Sequence, residues 1–455
     1  MPAIATTDLR NLFADLLRSD ITSSVDSSPY YVGFGKADLF DSGDEAPIPD
    51  RSKYDEMLAR SNLQSIKKIV NNALVVPRKN WTSGTLYVGW DDDISVYPEN
   101  PFYVLTEENQ VYVCLSQGKD GNGNPVASIV TPSYSIAGVN PDQAFKTSDG
   151  YTWKFLYKID AVSAANYLSS GFMPVAKVQW DSAGDSDNLN PDQLTQLIVQ
   201  NEAIPGQILG FEILNPGVGY TTAPTITING DGNGAEAVAT VSNGRIIKVD
   251  MLNESAGLGS GYNVASAVVS GDGIFGDLRP IIGPSKGFGY DAAKDLKSTS
   301  AILNVITDGV ENDDFIIGND FRQITVFKEM KDFNGDNFSS LTGIALNYIT
   351  MDGVGSAATF TVDNILIGDQ SGAQAYIDKI DGADIYYHQN ETTGFTPFIS
   401  GEDLNETNGN GSGTIVNISE GEVDRFSGDL LYLENRSRII RSSVQQEDIK
   451  VVITL

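Results

Sequence analysis

The residue types that catalyse most reactions are scarce in this chain. His388 is its single histidine and Cys114 its single cysteine. One histidine excludes a zinc site built from several histidines, and a Cys–His nucleophile pair would require these two distant residues to meet. We expect His388 to lie at the surface beside Tyr386 and Tyr387, and Cys114 to pack within an apolar strand.

Two glycine-rich loops, at 120–124 and 230–234, invite comparison with phosphate-binding loops. Neither ends in Gly-Lys-Ser/Thr, and no helix is predicted after either, so turn glycines are the better interpretation. Both loops also lack the twelve-residue pattern and closing Glu of an EF-hand. A calcium ion on Asp231 or Asp272 stays open as an alternative.

Carboxylate pairs could support glycoside hydrolysis, because the chain has 60 acidic residues. The nearest case to a distinctive setting is 91–93, three aspartates that follow Trp90. We interpret it as a solvated turn or a salt-bridge partner, and an acidic polysaccharide hydrolase is the weakest functional hypothesis. The sequence therefore predicts no catalytic residues, no cofactor and no metal site, and the chain is not expected to be an enzyme.

The charge balance restricts the partners. Lys and Arg total 30 against 60 for Asp and Glu, which gives a net charge of −30. Such a chain is repelled by nucleic acid and by anionic membrane surfaces. No signal peptide or membrane-spanning window is recognised, and one cysteine fits assembly in a reducing cytoplasm. We expect a soluble protein without nucleic-acid or membrane partners.

The few basic residues cluster at two places. Arg78 shortly precedes Trp81, and a second group consists of Arg436, Arg438 and Arg441. In so acidic a chain, arginines are expected to pair with carboxylates across a strand or across a subunit contact. We favour this structural role over recognition of an anion.

The segment 149–159, DGYTWKFLYKI, is the most informative in the chain. Its alternation predicts a strand whose aromatic face holds Tyr151, Trp153, Phe155, Tyr157 and Ile159. A face this large must be covered, by this chain or by another copy. The interface candidates are therefore Trp81, Tyr151, Trp153, Tyr157, Arg78, Arg436 and Arg438.

Hydrophobic spacing predicts the elements around this strand. Leu9, Leu12, Phe13, Leu16 and Leu17 follow helical spacing and predict a helix over 7–18. The remaining elements are a helix over about 54–72, a strand over 85–90, a hairpin of 102–106 with 111–115, and a terminal strand over 449–455 that is part of a sheet.

From Pro205 onward the composition shifts to Gly, Thr, Val and Asn, and a repeat begins. The segment 217–220, GVGY, recurs as 259–262, GSGY, and 229–232, NGDG, recurs as 270–273, SGDG. Short alternating runs lie between these motifs, which predicts a small all-β module of two similar halves over 206–275. A second module of the same kind is predicted over 357–420, with a looser internal repeat.

The predicted fold is mainly β, of the α+β type. A layered β-sandwich body carries a few helices in its loops, and two small glycine-rich β modules are inserted into it. The predicted segments are 1–205 (body, with two helices), 206–275 (first module), 276–356 (body), 357–420 (second module) and 421–455 (terminal strands of the body).

Several segments, in order, resemble the homodimeric baseplate wedge protein family of T-even-type contractile-tailed phages. They are VGFGK at 32–36, VVPRKNW at 75–81, DGYTWKFLYKI at 149–159, FRQITV at 321–326, GDLLYLENR at 428–436 and the terminal strand 449–455. The resemblance covers roughly 30–205, 276–335 and 425–455, and excludes both modules. It departs after Asn435, where the family tends to carry prolines and this chain has Ser437 and Arg438.

The resemblance implies a β-sandwich body, a homodimer and no catalysis. It also implies a place in the virion, in the tail baseplate, after assembly in the host cytoplasm. The partners would be other wedge proteins and tail-fibre attachment proteins. The first functional hypothesis is therefore a structural subunit that transmits baseplate rearrangement. The alternative is a virion receptor- or carbohydrate-binding protein that presents Tyr220 and Tyr262 of the repeat module to a sugar.

Overall fold

The computed structural model describes residues 6–24, 27–43, 45–176, 189–252, 257–307, 320–440 and 446–455. Strands make up 42% of the structure and helices 14%, so the fold is mainly β with few helices, as the sequence predicts. The chain forms two compact units, and both are discontinuous in sequence. Unit 1 comprises 1–17, 73–302 and 452–455, and unit 2 comprises 18–72 and 303–451.

The helices are short apart from the first. Their bounds are α1 (Thr7–Ser23), α2 (Ser52–Ser61), α3 (Tyr134–Ala137), α4 (Ala161–Tyr167), α5 (Pro191–Asn201), α6 (Ala292–Asp295) and α7 (Val354–Ala357). The start of α5 shows how local sequence determines such an element. The Asn190 side chain accepts a hydrogen bond from the backbone N–H of Gln193, and the backbone N–H of Asn190 donates to the Gln193 side-chain oxygen.

The strands are distributed over both units. Their bounds are β1 (Tyr30–Gly35), β2 (Leu63–Lys68), β3 (Asn71–Pro77), β4 (Tyr103–Leu105), β5 (Gln110–Ser116), β6 (Ala144–Lys146), β7 (Thr152–Lys158), β8 (Phe172–Pro174), β9 (Ile208–Val218), β10 (Thr225–Gly230), β11 (Asn233–Ala235), β12 (Ala237–Ser242), β13 (Arg245–Met251), β14 (Leu258–Ser260), β15 (Ala265–Ser270), β16 (Ile274–Ile282), β17 (Ser300–Thr307), β18 (Phe321–Lys328), β19 (Thr342–Ile344), β20 (Asn347–Met351), β21 (Ile365–Gly368), β22 (Gln374–Asp381), β23 (Asp384–His388), β24 (Asp403–Glu406), β25 (Ser412–Ser419), β26 (Asp429–Ile439) and β27 (Glu447–Thr454).

Strands β4 to β8 of unit 1 are part of a two-layer β arrangement. One sheet has the strand order β4-β5-β7-β6, and the other has the order β27-β17-β3-β8. Apolar side chains from both layers form one core, among them Leu74, Val76, Val113, Leu156 and Met173. Each layer therefore covers an apolar face of the other, as the predicted sandwich requires.

The aromatic strand β7 is buried on both faces, which differs from the single aromatic face predicted. Tyr157 lies opposite Val111, whereas Phe155 lies opposite Tyr112, so the register shifts by one residue between them. This bulge turns Tyr157 into the core between the sheets. Tyr151, Trp153 and Phe155 remain on the opposite face. The alternation of residue types in the sequence cannot reveal such a register shift.

Two predictions near β7 have opposite outcomes. The hairpin is confirmed, because β4 pairs with β5 with Tyr103 opposite Val113. The strand over 85–90 is wrong, because its backbone bonds go to separate places in the chain. The N–H of Val88 donates to Pro101 O, and that of Trp90 donates to Cys114 O. Its aromatic side chains are nevertheless buried, which explains the strand-like pattern.

The repeat segment forms a separate β module within unit 1. It contains a sheet of order β13-β12-β10-β15, the pair β16-β9 and the short pair β11-β14. Its apolar core includes Phe211, Tyr262 and Leu278. The module runs from β9 to β16, so its last strand extends beyond the predicted boundary at 275.

The two halves of the repeat exchange their motifs. The ring of Tyr220 lies so close to Gly273 that a Cβ there would be 2.5 Å from the Tyr220 Cγ, and Tyr262 has the same relation to Gly232. Each tyrosine therefore packs on the Gly-Asp-Gly loop of the other half, and glycine is required because no side chain fits beneath the ring.

Unit 2 contains a five-stranded sheet of order β19-β2-β1-β18-β26. In it, Val32 lies opposite Val326 and Gly33 opposite Ile66. The helix predicted over 54–72 is wrong beyond Ser61, because 63–68 pair with β1 as strand β2. Pairing within the sheet overrides a helical pattern that was only partial.

The second module is a closed barrel of six strands, in the order β20-β23-β22-β21-β24-β25. Its interior is filled by buried apolar side chains, including Ile349, Leu366, Ala375, Ile385 and Ile415. The barrel begins at Asn347, ahead of the predicted boundary at 357. Closure leaves no free sheet edge within the barrel.

The terminal strand is confirmed as part of a sheet. β27 lies beside β17. The Ser300 and Thr454 hydroxyls are 2.9 Å apart, and the N–H of Leu455 donates to Thr299 O. Ile449 and Val451 of the predicted face are buried, whereas Leu455 is largely exposed.

The motif exchange predicts that Gly273→Ala destabilises the repeat module by about 1–3 kcal/mol, because the new methyl group collides with the Tyr220 ring. Gly232→Ala is expected to do the same through Tyr262. Hydrogen-exchange mass spectrometry should show faster exchange across 208–282. Gly210→Ala is the matched control, since no atom lies within 4 Å of its Cβ position. Equal protection in all three variants would contradict the packing.

Candidate functional site

Three of the seven interface candidates are not available to a partner. Tyr151, Trp153 and Tyr157 are each 0% exposed within the chain itself. The hydroxyl of Tyr157 donates to Pro174 O at 2.9 Å, and that of Tyr151 donates to Val126 O at 2.7 Å. The expectation that these rings form a subunit contact is therefore corrected: the chain covers its own aromatic strand, because both faces of that sheet lie inside unit 1.

Trp81 and Arg78 are half-buried and hold loops of unit 1. The indole N–H of Trp81 donates to the Ser128 hydroxyl at 3.2 Å. The guanidinium of Arg78 donates to Ser169 O at 3.0 Å and to Asn80 Oδ1 at 2.9 Å. Both side chains thus have partners inside the chain and keep only part of their surface for outside contacts.

Arg436 and Arg438 lie on β26, half-buried and exposed respectively. Arg438 forms an ion pair with Asp320, which immediately precedes the neighbouring strand β18. For Arg438, the prediction of a carboxylate partner across a strand is confirmed. Arg441, from the same cluster, lies outside the described residues.

Helix α1 carries an exposed apolar face that the sequence alone did not identify as a surface. Leu9, Leu12, Phe13 and Leu16 of α1 are 41%, 51%, 51% and 53% exposed. Their spacing of three and four residues places them on one helix face. We call these four side chains the α1 stripe.

The opposite face of α1 is the one that packs against unit 1. Ala14 is fully buried in the core of the sandwich. Asn11 is also buried, and its Nδ2 donates to Ser298 O at 2.9 Å. A small residue and a hydrogen-bonded amide therefore face inward, while the four large apolar residues face solvent. This reverses the usual amphipathic arrangement.

The three aspartates at 91–93 are a salt-bridge site, as one of the two sequence interpretations predicts. Arg279 of β16 contacts Asp91 at 2.7 Å, Asp92 at 2.9 Å and Glu212 at 2.8 Å. The carboxylates are close enough to share a cation. The guanidinium already provides that positive charge, so this cluster joins the end of the module to the loop after Trp90.

Cys114 is fully buried in β5, as predicted, and its Sγ lies 3.5 Å from Ser116 O. Burial raises the pKa of the thiol well above its ordinary value. A thiol that is shielded from solvent and held protonated is a poor nucleophile. Cys114 therefore serves as a core residue.

His388 is only 4% exposed, which corrects its expected surface position. It lies on β23 of the barrel, and its Nδ1 is 2.8 Å from Asp378 Oδ2 on the neighbouring strand β22. Its Nε2 is 3.0 Å from Asp38 Oδ2, and the ring stacks on Tyr376. Sequence spacing could not reveal this site, because Asp38 is distant in the chain.

The two carboxylates determine the charge of this histidine. Burial lowers the pKa of His388, but the negative charges and hydrogen bonds of Asp378 and Asp38 outweigh it and raise the pKa to about 10. The ring is therefore an imidazolium at neutral pH, with both N–H groups donating. A ring that is charged at neutral pH and bonded to two acids is a poor general base, and we call the arrangement of His388, Asp378 and Asp38 a buried clamp.

Comparisons with known proteins assign no family to the chain. No protein-family model matches it, and no curated protein sequence matches it. In the described part of the chain, no helix is both long enough and apolar enough to cross a membrane.

We expect His388 to remain charged throughout the neutral range. Because its folded pKa of about 10 exceeds the ordinary value near 6.5, the clamp stabilises the fold fully below about pH 6.5 and this stabilisation is lost as pH rises through 10. NMR of the ring can measure this without assignment ambiguity, because the chain has one histidine. An ordinary titration near pH 6.5 would contradict the clamp.

Proposed function

We propose that this chain is a structural subunit of a phage contractile-tail baseplate wedge, which works by protein–protein assembly and transmits baseplate rearrangement. The observation that carries the proposal is the α1 stripe. The ordered sequence resemblance supplies the baseplate setting. In this proposal the chain resides in the virion and assembles in the host cytoplasm.

The stripe supports an assembly role because of its contiguity. A single exposed leucine is ordinary on a protein surface. Four large apolar side chains on one helix face, with the opposite face already packed, form a surface that water solvates poorly. Covering it removes apolar area from water without any rearrangement of the core.

We propose a second copy of this chain as the occupant. A two-fold interface brings the same patch of both copies together, so the patch must complement itself. The spacing of large apolar residues in the stripe is the same from either end, with Leu12 and Phe13 exchanging places. When two α1 helices pair antiparallel about the midpoint of the stripe, Leu9 lies opposite Leu16 of the other copy. Leu12 then lies opposite Phe13 of the other copy. This symmetry supports a homodimer.

Charge influences how strongly two copies associate. Each copy carries a net charge of −30, so approach is opposed by repulsion that salt screens within about 8–10 Å. Further partners, namely other wedge proteins and tail-fibre attachment proteins, belong to the same proposal. Basic surfaces on those partners would complement this chain.

The chemistry-bearing residues give no support to an enzymatic role. Cys114 is buried, His388 is held between two acids, and 91–93 are engaged by Arg279. The receptor- or carbohydrate-binding alternative has also lost its motivating residues. Tyr220 and Tyr262 are 3% and 4% exposed, because each packs on the opposite Gly-Asp-Gly loop, so neither can stack on a sugar.

The stripe predicts that Leu12→Glu weakens self-association by at least about 100-fold, because two buried carboxylates would enter an apolar contact. Sedimentation equilibrium at micromolar concentration measures the dissociation constant. Leu341→Glu is the matched control, since Leu341 is 64% exposed and immediately precedes β19 in the sequence, outside α1. Circular dichroism of both variants checks that the fold is retained.

Two results would contradict the homodimer contact. One is a wild-type chain that stays monomeric at micromolar concentration. The other is a Leu12→Glu variant that associates as tightly as the control. Raising the salt concentration should tighten wild-type association, because screening reduces the repulsion between two acidic copies.

The baseplate setting has its own test. We expect a label attached to this chain to appear at the end of the tail distal to the head in electron micrographs of purified particles. Its absence from tails, with the label intact on the free protein, would overturn the placement while leaving the homodimer contact standing.

A further inference from the structure

We propose that a cavity in unit 2 is a binding site for a guanidinium group. The cavity has a volume of about 330 Å³ and is lined by the loop after β1, by α2, by the loop after β23, and by side chains of β18 and β26. Its volume is within the range of small-ligand sites. The site is inferred independently of the homodimer and of the baseplate setting.

The first acceptor belongs to Gln323, a residue that lines the cavity, and the surroundings determine the orientation of its side-chain amide. Pro47 O can only accept, and it takes a hydrogen bond from Asn435 Nδ2 at 2.9 Å. Asn435 therefore presents Oδ1 to Gln323, whose Nε2 donates to it at 2.8 Å. Gln323 Oε1 is left without a hydrogen-bond partner among the described residues, although the residue is only 6% exposed.

The second acceptor is Asn62 Oδ1, at the end of α2. Asn62 lines the same cavity and is 6% exposed, and no donor in the described ranges reaches its Oδ1. A buried carbonyl oxygen without a donor costs free energy comparable to a lost hydrogen bond. Two such oxygens on residues that line one cavity suit a ligand that brings several N–H or O–H donors.

The charges around the cavity favour a cationic donor. Four carboxylates line it, from Asp38, Asp41, Asp55 and Glu391, against one ammonium group, from Lys36. The His388 imidazolium beside Asp38 is shared with Asp378, so it does not reverse the balance. The negative wall attracts a cation and disfavours a phosphate or a carboxylate.

A guanidinium suits this wall better than an ammonium group or a sugar. It is planar, carries several donors in a fixed fork and stacks on aromatic rings. Tyr54 and Phe395 line the cavity and are 43% and 54% exposed, so their rings are accessible. A sugar would satisfy the acceptors but would leave the carboxylates without a countercharge.

The same chain already holds one guanidinium by this chemistry. Arg60 donates to the carbonyl oxygens of Arg425, Ser427 and Gly428 at 3.1, 2.6 and 2.8 Å. Its guanidinium lies 5.2 Å from the ring centre of Phe327. Carbonyl acceptors, an aromatic face and the Glu56 carboxylate, 3.0 Å from the Arg60 Nε, thus form an arginine site within this unit.

The test uses small probes on the full chain. N-acetyl-arginine methylamide represents an arginine of a partner protein, and agmatine represents a free guanidinium compound. We expect saturable binding of at least one, measured by ligand-observed NMR. The citrulline counterpart of the first probe, which has the same shape without the charge, should bind at least about tenfold more weakly.

The relative affinities of the two probes show whether the guanidinium ligand comes from a protein arginine or from a free compound. Tighter binding of the peptide-like probe indicates a protein arginine, whereas tighter binding of agmatine indicates a free compound, and both results support the site. Absence of saturation by either probe would overturn it. Equal binding of the citrulline probe, or preferential binding of a monosaccharide such as glucose, would overturn it as well.

Two variants locate the binding. Glu391→Gln removes a charge at the rim without changing shape, and Gln323→Leu removes the oriented carbonyl oxygen. Each should weaken binding of the better probe about three- to tenfold. Glu108→Gln, at an exposed turn of unit 1, is the matched control and should leave binding unchanged. If Gln323→Leu fails to fold, Glu391→Gln decides alone, and unaltered affinity in that variant refutes the location.

Discussion

Covering the aromatic strand β7 on both faces is the constraint from which much of unit 1 follows. One face packs on the second sheet, and the other packs under a helix and loops that supply Tyr87 and Val199. Large aromatic side chains contribute most of the apolar area that such a core removes from water. Since this chain completes that burial itself, its outward apolar surface is elsewhere. The α1 stripe is such a surface, and this is why we place assembly there and not on the aromatic strand.

Because the chain is strongly acidic, its few positively charged side chains also organise the structure. Arg279 joins four acidic groups, Arg60 collects three backbone carbonyls, and His388 is held between two carboxylates. In each case a buried or half-buried positive charge fixes groups that are distant in sequence. The cavity in unit 2 is lined by residues that carry carbonyl and carboxylate acceptors of the same kind. The internal arginine site therefore motivates the guanidinium ligand that we propose for the cavity.

The local sequence pattern was sufficient to predict the elements that depend mainly on their own residues. The helix at the start of the chain, the hairpin of β4 and β5, the strand β7 and the glycine-rich repeat were all predicted correctly in type. The predicted helix beyond Ser61 and the strand over 85–90 failed, because β1 captures the first segment and separate backbone partners hold the second. The burial of His388 and the carbonyl oxygen of Gln323 could not be predicted, since their partners are Asp38 and Asn435, far away in sequence.

The sequence by itself determined the mainly β character, the acidic surface, the two-copy repeat and the helical spacing of the α1 stripe. These properties depend on composition and on neighbours a few residues apart. Tertiary structure alone decided which side of each element is covered. A bulge moved Tyr157 to the other face of its sheet, and the packing of Ala14 turned the α1 stripe outward. Periodicity identifies the apolar face of an element, but only the packing of distant segments determines whether that face is buried or remains open to a partner.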